Sequence, residues 1–143
     1  MEEASNGITA AVVKQEDLNK VWPQVSELLA PACEYSHGQD TLQTLRRALM
    51  SGKDGIFVVA DDGAIIGAVS FTINDFDTGL RLLDITYAGG VAMDTQMPTV
   101  IQMFHGLKEH YMCDRVRITG RKGWVRYMQQ FGFQPTHYSV EME

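Results

Sequence analysis

The chain has 143 residues, enough for one domain with a single substantial core, and its 45% apolar and 21% charged residues suit a soluble globular protein. A formal charge of −6 argues against general nucleic-acid binding, which needs an excess of Lys and Arg. No apolar run approaches the ~20 residues that span a bilayer, and the start Met1-Glu2-Glu3-Ala4-Ser5-Asn6-Gly7 has no leader pattern. The expectation is a cytoplasmic protein with no membrane partner.

Ile8 to Val13 reads as a strand. From Glu16 the period changes: Leu18, Val21, Trp22, Val25, Leu28 and Leu29 form one helical face, with a kink or late start expected at Pro23 and an end set by Pro31 and then the polar Ser36-His37-Gly38-Gln39 segment. Cys33 follows; it and Cys113 lie far apart without metal-ligand spacing and read as reduced, buried thiols. Asp40 or Thr41 can cap a second helix carrying Leu42, Leu45, Ala48 and Leu49, which Ser51-Gly52 stops. Ile56 to Ala60 and Ala64 to Ile73 are two strands joined through Asp61-Asp62-Gly63, a turn that needs φ > 0. A turn over Asn74 to Gly79 leads into Leu80 to Ala88, a strand apolar on both faces and so covered on both sides.

Val100, Phe104, Leu107 and Tyr111 mark a third helix, with Pro98 placed at its first position, where a missing N–H does no harm. His105 and His110 on it are five apart and do not share a face, so no metal is expected. Asp114 to Thr119 is a strand, Trp124 to Phe131 a fourth helix and Gln134 to Met142 a last strand. The order is β-α-α-β-β-β-α-β-α-β over one domain, residues 1–143, without repeats or linkers. It predicts an α/β fold with a mixed, largely antiparallel sheet of about six strands and four helices, with at least one parallel pair.

That order, with the ending Trp124-Val125-Arg126-Tyr127-Met128-Gln129-Gln130-Phe131-Gly132-Phe133, resembles the Gcn5-related N-acetyltransferase (GNAT) superfamily over essentially the whole chain. The Gly-Arg-Lys-Gly-Trp run before the last helix is also similar to GNAT-like proteins of tailed phages. The resemblance implies acetyl-CoA where the central parallel strands part, its pyrophosphate on backbone N–H groups between the fourth strand and third helix. A helix N-terminus with free amides favours such an anion. The corresponding stretch here is Gly89-Gly90-Val91-Ala92, with its glycines adjacent instead of spaced, no Arg before them, and the helix starting eight residues past Gly90 if Pro98 opens it.

Acetyl transfer to an amine needs a base for the ammonium proton and often an acid for the thiolate. The resemblance puts a Tyr acid four residues before the Gly of the Gly-Phe turn; here that residue is Met128, and Tyr127 lies about 100° around the helix, more fitting as a structural aromatic. Asp84, the one acid inside an apolar strand, is the candidate base, or else a carboxylate bonded to a neighbouring loop. The Asn that the resemblance expects at the start of the fourth helix is Gly120 or Arg121. Arg115, Arg117, Arg121, Lys122 and Arg126 put five of the twelve basic residues within twelve positions. In an acidic chain this patch is a solvated face, a dock for an acidic protein surface or, through Arg121 and Lys122, a substitute for the missing loop Arg. Loss of the loop Arg, the glycine spacing, the Asn and the Tyr together favours a non-acetylating binding or assembly module without cofactor, phage-encoded and virion-associated. The alternative is an active acetyl-CoA-dependent N-acetyltransferase with a divergent loop.

Overall fold

The β-branched residues Ile8, Thr9 and Val12 open the sheet. In the computed structural model, which describes residues 7–120 and 122–143 (Lys122 by its backbone alone), β1 spans Ile8–Val12. It pairs antiparallel with β2, Asp54–Asp61, which turns back into β3, Ala64–Asp75. Asp62 and Gly63 form the two-residue turn with φ of 48° and 89°, the left-handed pair that matches the twist of the flanking strands. β4, Arg81–Gly90, runs antiparallel to β3, and β5, Arg115–Ile118, lies parallel to β4. The sheet order is β1-β2-β3-β4-β5, with β4–β5 as the expected parallel pair.

Among the described residues four α-helices cover the two faces. α1, Leu18–Glu34, and α2, Leu42–Ser51, pack Val25, Leu29, Leu45 and Leu49 against Ile56 and Ala68. α3, Met93–His110, and α4, Lys122–Met128, cover the other side with Met97, Val100, Phe104 and Met128 against Phe57, Val69, Leu83 and Ile85. Phe57 is fully buried and meets Phe104 edge to face at 6.2 Å; its burial contributes about 2–3 kcal/mol. Thr41 caps α2 in a reciprocal box with Thr44, and Gly52 ends it at φ 82°.

Two expectations fail, the start of α3 and the last strand, while α1 ends just before the polar segment from Ser36. α1 runs through Pro23 and past Pro31 to Glu34, and α3 starts at Met93, five residues before Pro98. All three prolines lie on exposed faces, where water can take the carbonyl each one leaves unpaired, while the opposite faces bury Val25, Leu29, Met97 and Val100. Packing therefore outweighs one absent hydrogen bond per proline. The second is the strand over Gln134 to Met142: the sheet has five strands among the described residues, and 134–143 forms no ladder. Its alternating pattern suits a strand, but a strand exists only against a neighbour, and this segment has none.

Candidate functional site

β5 is short, and that opens the molecule. It pairs with β4 only from Leu82 to Ile85, so among the described residues β4 continues from Thr86 to Gly90 with β3 on one side and no strand on the other. Into this fork runs a cavity of about 700 Å³, walled by β4, the ends of α1 and β5, and α3 and α4. Met93, Met97, Phe104 and Met128 give it an apolar side. Glu27, Asp40, Asp84, Tyr87 and His37 give it polar groups. A smaller hollow of about 270 Å³, between Lys14, Lys53 and Tyr111, lies away from the fork.

A bulge decides which side chains reach the cavity. The β3–β4 register pairs Ser70 with Tyr87 but Phe71 with Ile85, leaving Thr86 as an extra residue. Ile85 and Tyr87, two apart, thereby serve opposite faces: Ile85 joins the α3 core and Tyr87 the α1–α2 side. The bulge is held by Ser70 Oγ, 2.6 Å from Thr86 Oγ1 and accepting from the Tyr87 amide at 3.1 Å. Tyr87 then donates its hydroxyl to Asp40 Oδ2 at 2.6 Å, joining the sheet to the segment that caps α2. Burial and the carboxylate bond push the phenol well above the usual tyrosine range, so it remains a donor. Asp40 also accepts from Thr44 Oγ1 at 2.8 Å.

Asp84 is buried and faces Arg117 across the parallel pair. Arg117 Nε and Nη2 donate to its two carboxylate oxygens at 2.5 and 2.8 Å, and Asn74 Nδ2 donates to Oδ2. The bond to Asp84 raises the guanidinium's proton affinity, and the Phe76 ring lies 5.8 Å from it. Arg117 is thus turned inward, whereas Arg115 and Arg126 of the basic cluster remain exposed. Arg121 lies outside the described residues, as does the Lys122 side chain.

Gly89 and Gly90 belong to β4 and pair with Ala68 and Gly67, so they are not part of a loop. The space beside them is filled by the chain itself. A Cβ on Gly89 would stand 1.8 Å from the Leu28 carbonyl oxygen of α1, and one on Gly90 2.6 Å from the Ile66 oxygen. The Val91 amide is spent on Ile66 O at 3.0 Å. Gln96, buried in the first turn of α3, donates Nε2 to Ile66 O at 3.0 Å and to Val91 O, tying the helix start to the sheet. Ala92 caps α3 in the left-handed region, φ 52°. Gly89, Gly90 and Met93 line the cavity here, Met93 in the first turn of α3, whose leading N–H groups have no intrahelical partner. Asp94 sits in that turn and accepts from Tyr127 Oη at 2.6 Å, which raises the Tyr127 phenol. Tyr127 also packs on Trp124 and Phe131, whereas Trp124 and Met128 are the α4 residues that line the cavity.

Solved structures superpose on nearly the whole chain. An aminoglycoside acetyltransferase from an uncultured soil metagenomic sample, in complex with trehalose, matches with TM-score 0.68 at 16% identity, covering 99% of this chain and 100% of its own. A ribosomal-protein-alanine N-acetyltransferase from Brucella melitensis biovar Abortus 2308 gives 0.68 at 13%, covering 94% and 98%. The chain has the GNAT fold. A predicted acetyltransferase with acetyl-CoA from Clostridium acetobutylicum gives 0.63 at 12% identity, covering 95% and 96%. No family model matches the sequence, and no curated protein does. Within the GNAT fold the fork is open, so a thioester arm has room, with Met93 at the start of α3 beside it. Gly89, Gly90 and the Val91 amide do not fit the role of a phosphate cradle, because Leu28, Ile66 and Gln96 already occupy them.

Tyr87 and Asp40 escaped the sequence reading. Asp40 reads as a helix cap, and only the bulge at Thr86, which leaves no mark in the sequence, aims Tyr87 at it.

Proposed function

We propose that the fork between β4 and β5 binds an acyl-CoA thioester and that the protein transfers the acyl group to a cationic amine. One observation carries this: the cavity of about 700 Å³ is continuous from the first turn of α3 to the paired Tyr87 and Asp40. The Met93 amide at that turn would face the phosphates, and the apolar wall of Met93, Met97 and Phe104 would exclude water from the arm. A thioester bound there supplies an activated acyl carbonyl. Glu27 and Asp40 offer carboxylates that would hold an ammonium group and take one of its protons; the freed nitrogen would then attack the acyl carbonyl, the C–N bond forming as the C–S bond breaks, with the second amine proton leaving with the thiolate as thiol, while Tyr87 keeps its own proton in the bond to Asp40. Asp84, closed by Arg117 and Asn74, is assigned to holding β5 against β4, and Tyr127 to the α3–α4 contact.

The test is a thermal-shift titration with acetyl-CoA, followed by thiol release with a panel of di- and polyamines against neutral and anionic acceptors. A ligand that binds the native state raises Tm by mass action. Absence of any shift at millimolar acetyl-CoA sinks the reading.

A second reading keeps the fold and drops the chemistry, making the protein a non-acetylating binding or assembly module. Met128, which has no proton to give, and the enclosed Asp84 carboxylate favour it, and the phage-like run before α4 belongs with it. A saturable shift with no thiol release from any amine would select this reading.

A further inference from the structure

The cavity in the fork crosses the sheet, and its two sides differ in chemistry. Glu27, Asp40, Asp84 and Tyr87 line it on the α1–α2 side. Asp84 belongs there because it alternates with Leu83 and Ile85 of the α3 core, and Tyr87 because it packs with the α1–α2 cluster. On the α3–α4 side the lining is Val69, Ile85, Met97, Val100, Phe104 and Met128, all members of the core there. These six carry no hydrogen-bonding group beyond the two methionine sulfurs, which accept only weakly. Among the described residues no charged side chain lines the cavity on that side.

Most of a CoA thioester does not suit such a wall. Its arm carries amides, and an amide withdrawn from water needs a partner that these side chains cannot give. Partners exist along β4 from Thr86 to Gly90, where the backbone has no strand on its β5 side. The part of the ligand without polar atoms is the acyl chain. An amine attacks a thioester carbonyl from above its plane, so the chain lies away from the incoming nitrogen. Glu27 and Asp40 would bring that nitrogen from the α1–α2 side, which leaves the α3–α4 side to the chain. Met97 and Met128, each 2% exposed, are unbranched and can turn to admit it.

We infer that the fork selects a thioester whose acyl group is an apolar chain longer than acetyl, of the butanoyl-to-octanoyl class, seated among Val69, Val100, Phe104 and Met128. The inference rests on the reading of the fork as an acyl-CoA site and names the acyl group it takes. Chain length is bounded above because the cavity of about 700 Å³ also has to hold the arm. Each methylene moved from water into an apolar site tightens binding by about fourfold. Hexanoyl carries four more than acetyl, and incomplete burial of the last ones sets the expected gain at about tenfold or more.

The test is titration calorimetry of the full chain with free CoA and with acetyl-, butanoyl-, hexanoyl- and octanoyl-CoA. Affinity is expected to rise about tenfold or more from acetyl to hexanoyl. Val100→Phe, which places a ring on the apolar side, should lower the hexanoyl-to-acetyl affinity ratio about fivefold or more. Should that variant fail to fold, Ile118→Phe, at the half-buried end of β5 that lines the cavity, gives the same reading. Equal affinity across the series overturns the inference and leaves the acyl-CoA site standing. A hexanoyl preference that the folded variant does not reduce overturns it as well, since the chain would then be held on apolar surface outside the fork. Binding of neither free CoA nor any thioester overturns the inference together with the reading it rests on.

Discussion

Replacing Arg117 by methionine keeps much of the buried stem and removes the guanidinium that closes Asp84. The Asp84 side chain is 10% exposed, and the change strips it of the bonds at 2.5 and 2.8 Å, leaving Asn74 alone. Removing one partner of a buried ion pair costs about 3–5 kcal/mol. Arg117 itself is 33% exposed, so water can follow into its place, which sets the expectation at the lower end, about 3 kcal/mol. For a chain of this size that lowers Tm by roughly 10 °C, read by calorimetry or dye-reported melting. The double variant Asp84→Leu/Arg117→Met removes the stranded charge and should return to within about 1 kcal/mol of the parent. Arg117→Met melting with the parent would refute the reasoning, because Asp84 would then be hydrated. A double variant as unstable as the single would also refute it, since the loss would lie in the packing of the arginine stem.

Gly89→Ala should destabilise by about 3 kcal/mol in urea unfolding, because its methyl meets the backbone of α1 at Leu28 and no side chain there can turn away. Pro98→Ala should stabilise by about 1 kcal/mol, since it restores an N–H inside α3; a proline opening the helix would give no gain, so the sign checks where the helix starts. Tyr87→Phe should lose about 1 kcal/mol at neutral pH from the bond to Asp40. The folded phenol holds its proton more tightly than the unfolded one, so this contribution is complete below the ordinary tyrosine pKa of about 10 and falls as pH rises above it. Denaturation midpoints from neutral to about pH 11 should therefore drop more steeply for the parent than for Tyr87→Phe.

What was legible in the sequence was whatever short-range periodicity encodes. Thr41 and Gly52 bound α2 as read, and Asp62-Gly63 turns the hairpin because few other residues accept φ > 0 twice in succession. The exceptions share one cause. Pro31 and Pro98 signal a helix boundary locally, but each sits on an exposed face of a helix whose other face is buried, and burial is decided by residues far away in sequence. Gly89-Gly90 read as a loop because glycine marks both turns and close approaches; the contact with Leu28, sixty residues earlier, selects the second meaning. Asp84 was recognisable as unusual from its apolar neighbours, while its partner Arg117 was visible only as one of a basic cluster. Period two put Arg115 and Arg117 on one face correctly, yet their roles differ because only Arg117 lies opposite Asp84 in the parallel register.

The start of α3 sets up a competition that can be measured. A helix N-terminus beside an open cavity favours an anion, and in this chain Asp94 already supplies one, fixed by Tyr127 at 2.6 Å. A phosphate-bearing ligand entering the fork would meet that charge within the same turn. Neutralising it by Asp94→Asn removes a repulsion of about 1 kcal/mol for charges about 4 Å apart at the dielectric of bulk water, the setting of this exposed turn, and so tightens a CoA thioester roughly fivefold. The same change costs the free protein about 0.5 kcal/mol, because the helix end loses its carboxylate. Affinity and stability should therefore move in opposite directions, with the affinity gain shrinking as salt screens both charges. Parallel titration calorimetry and melting of the parent and Asp94→Asn read the two quantities separately. If Asp94→Asn leaves affinity unchanged or weakens it, the ligand's charge does not lie at this turn, and the phosphates must be held elsewhere along the fork.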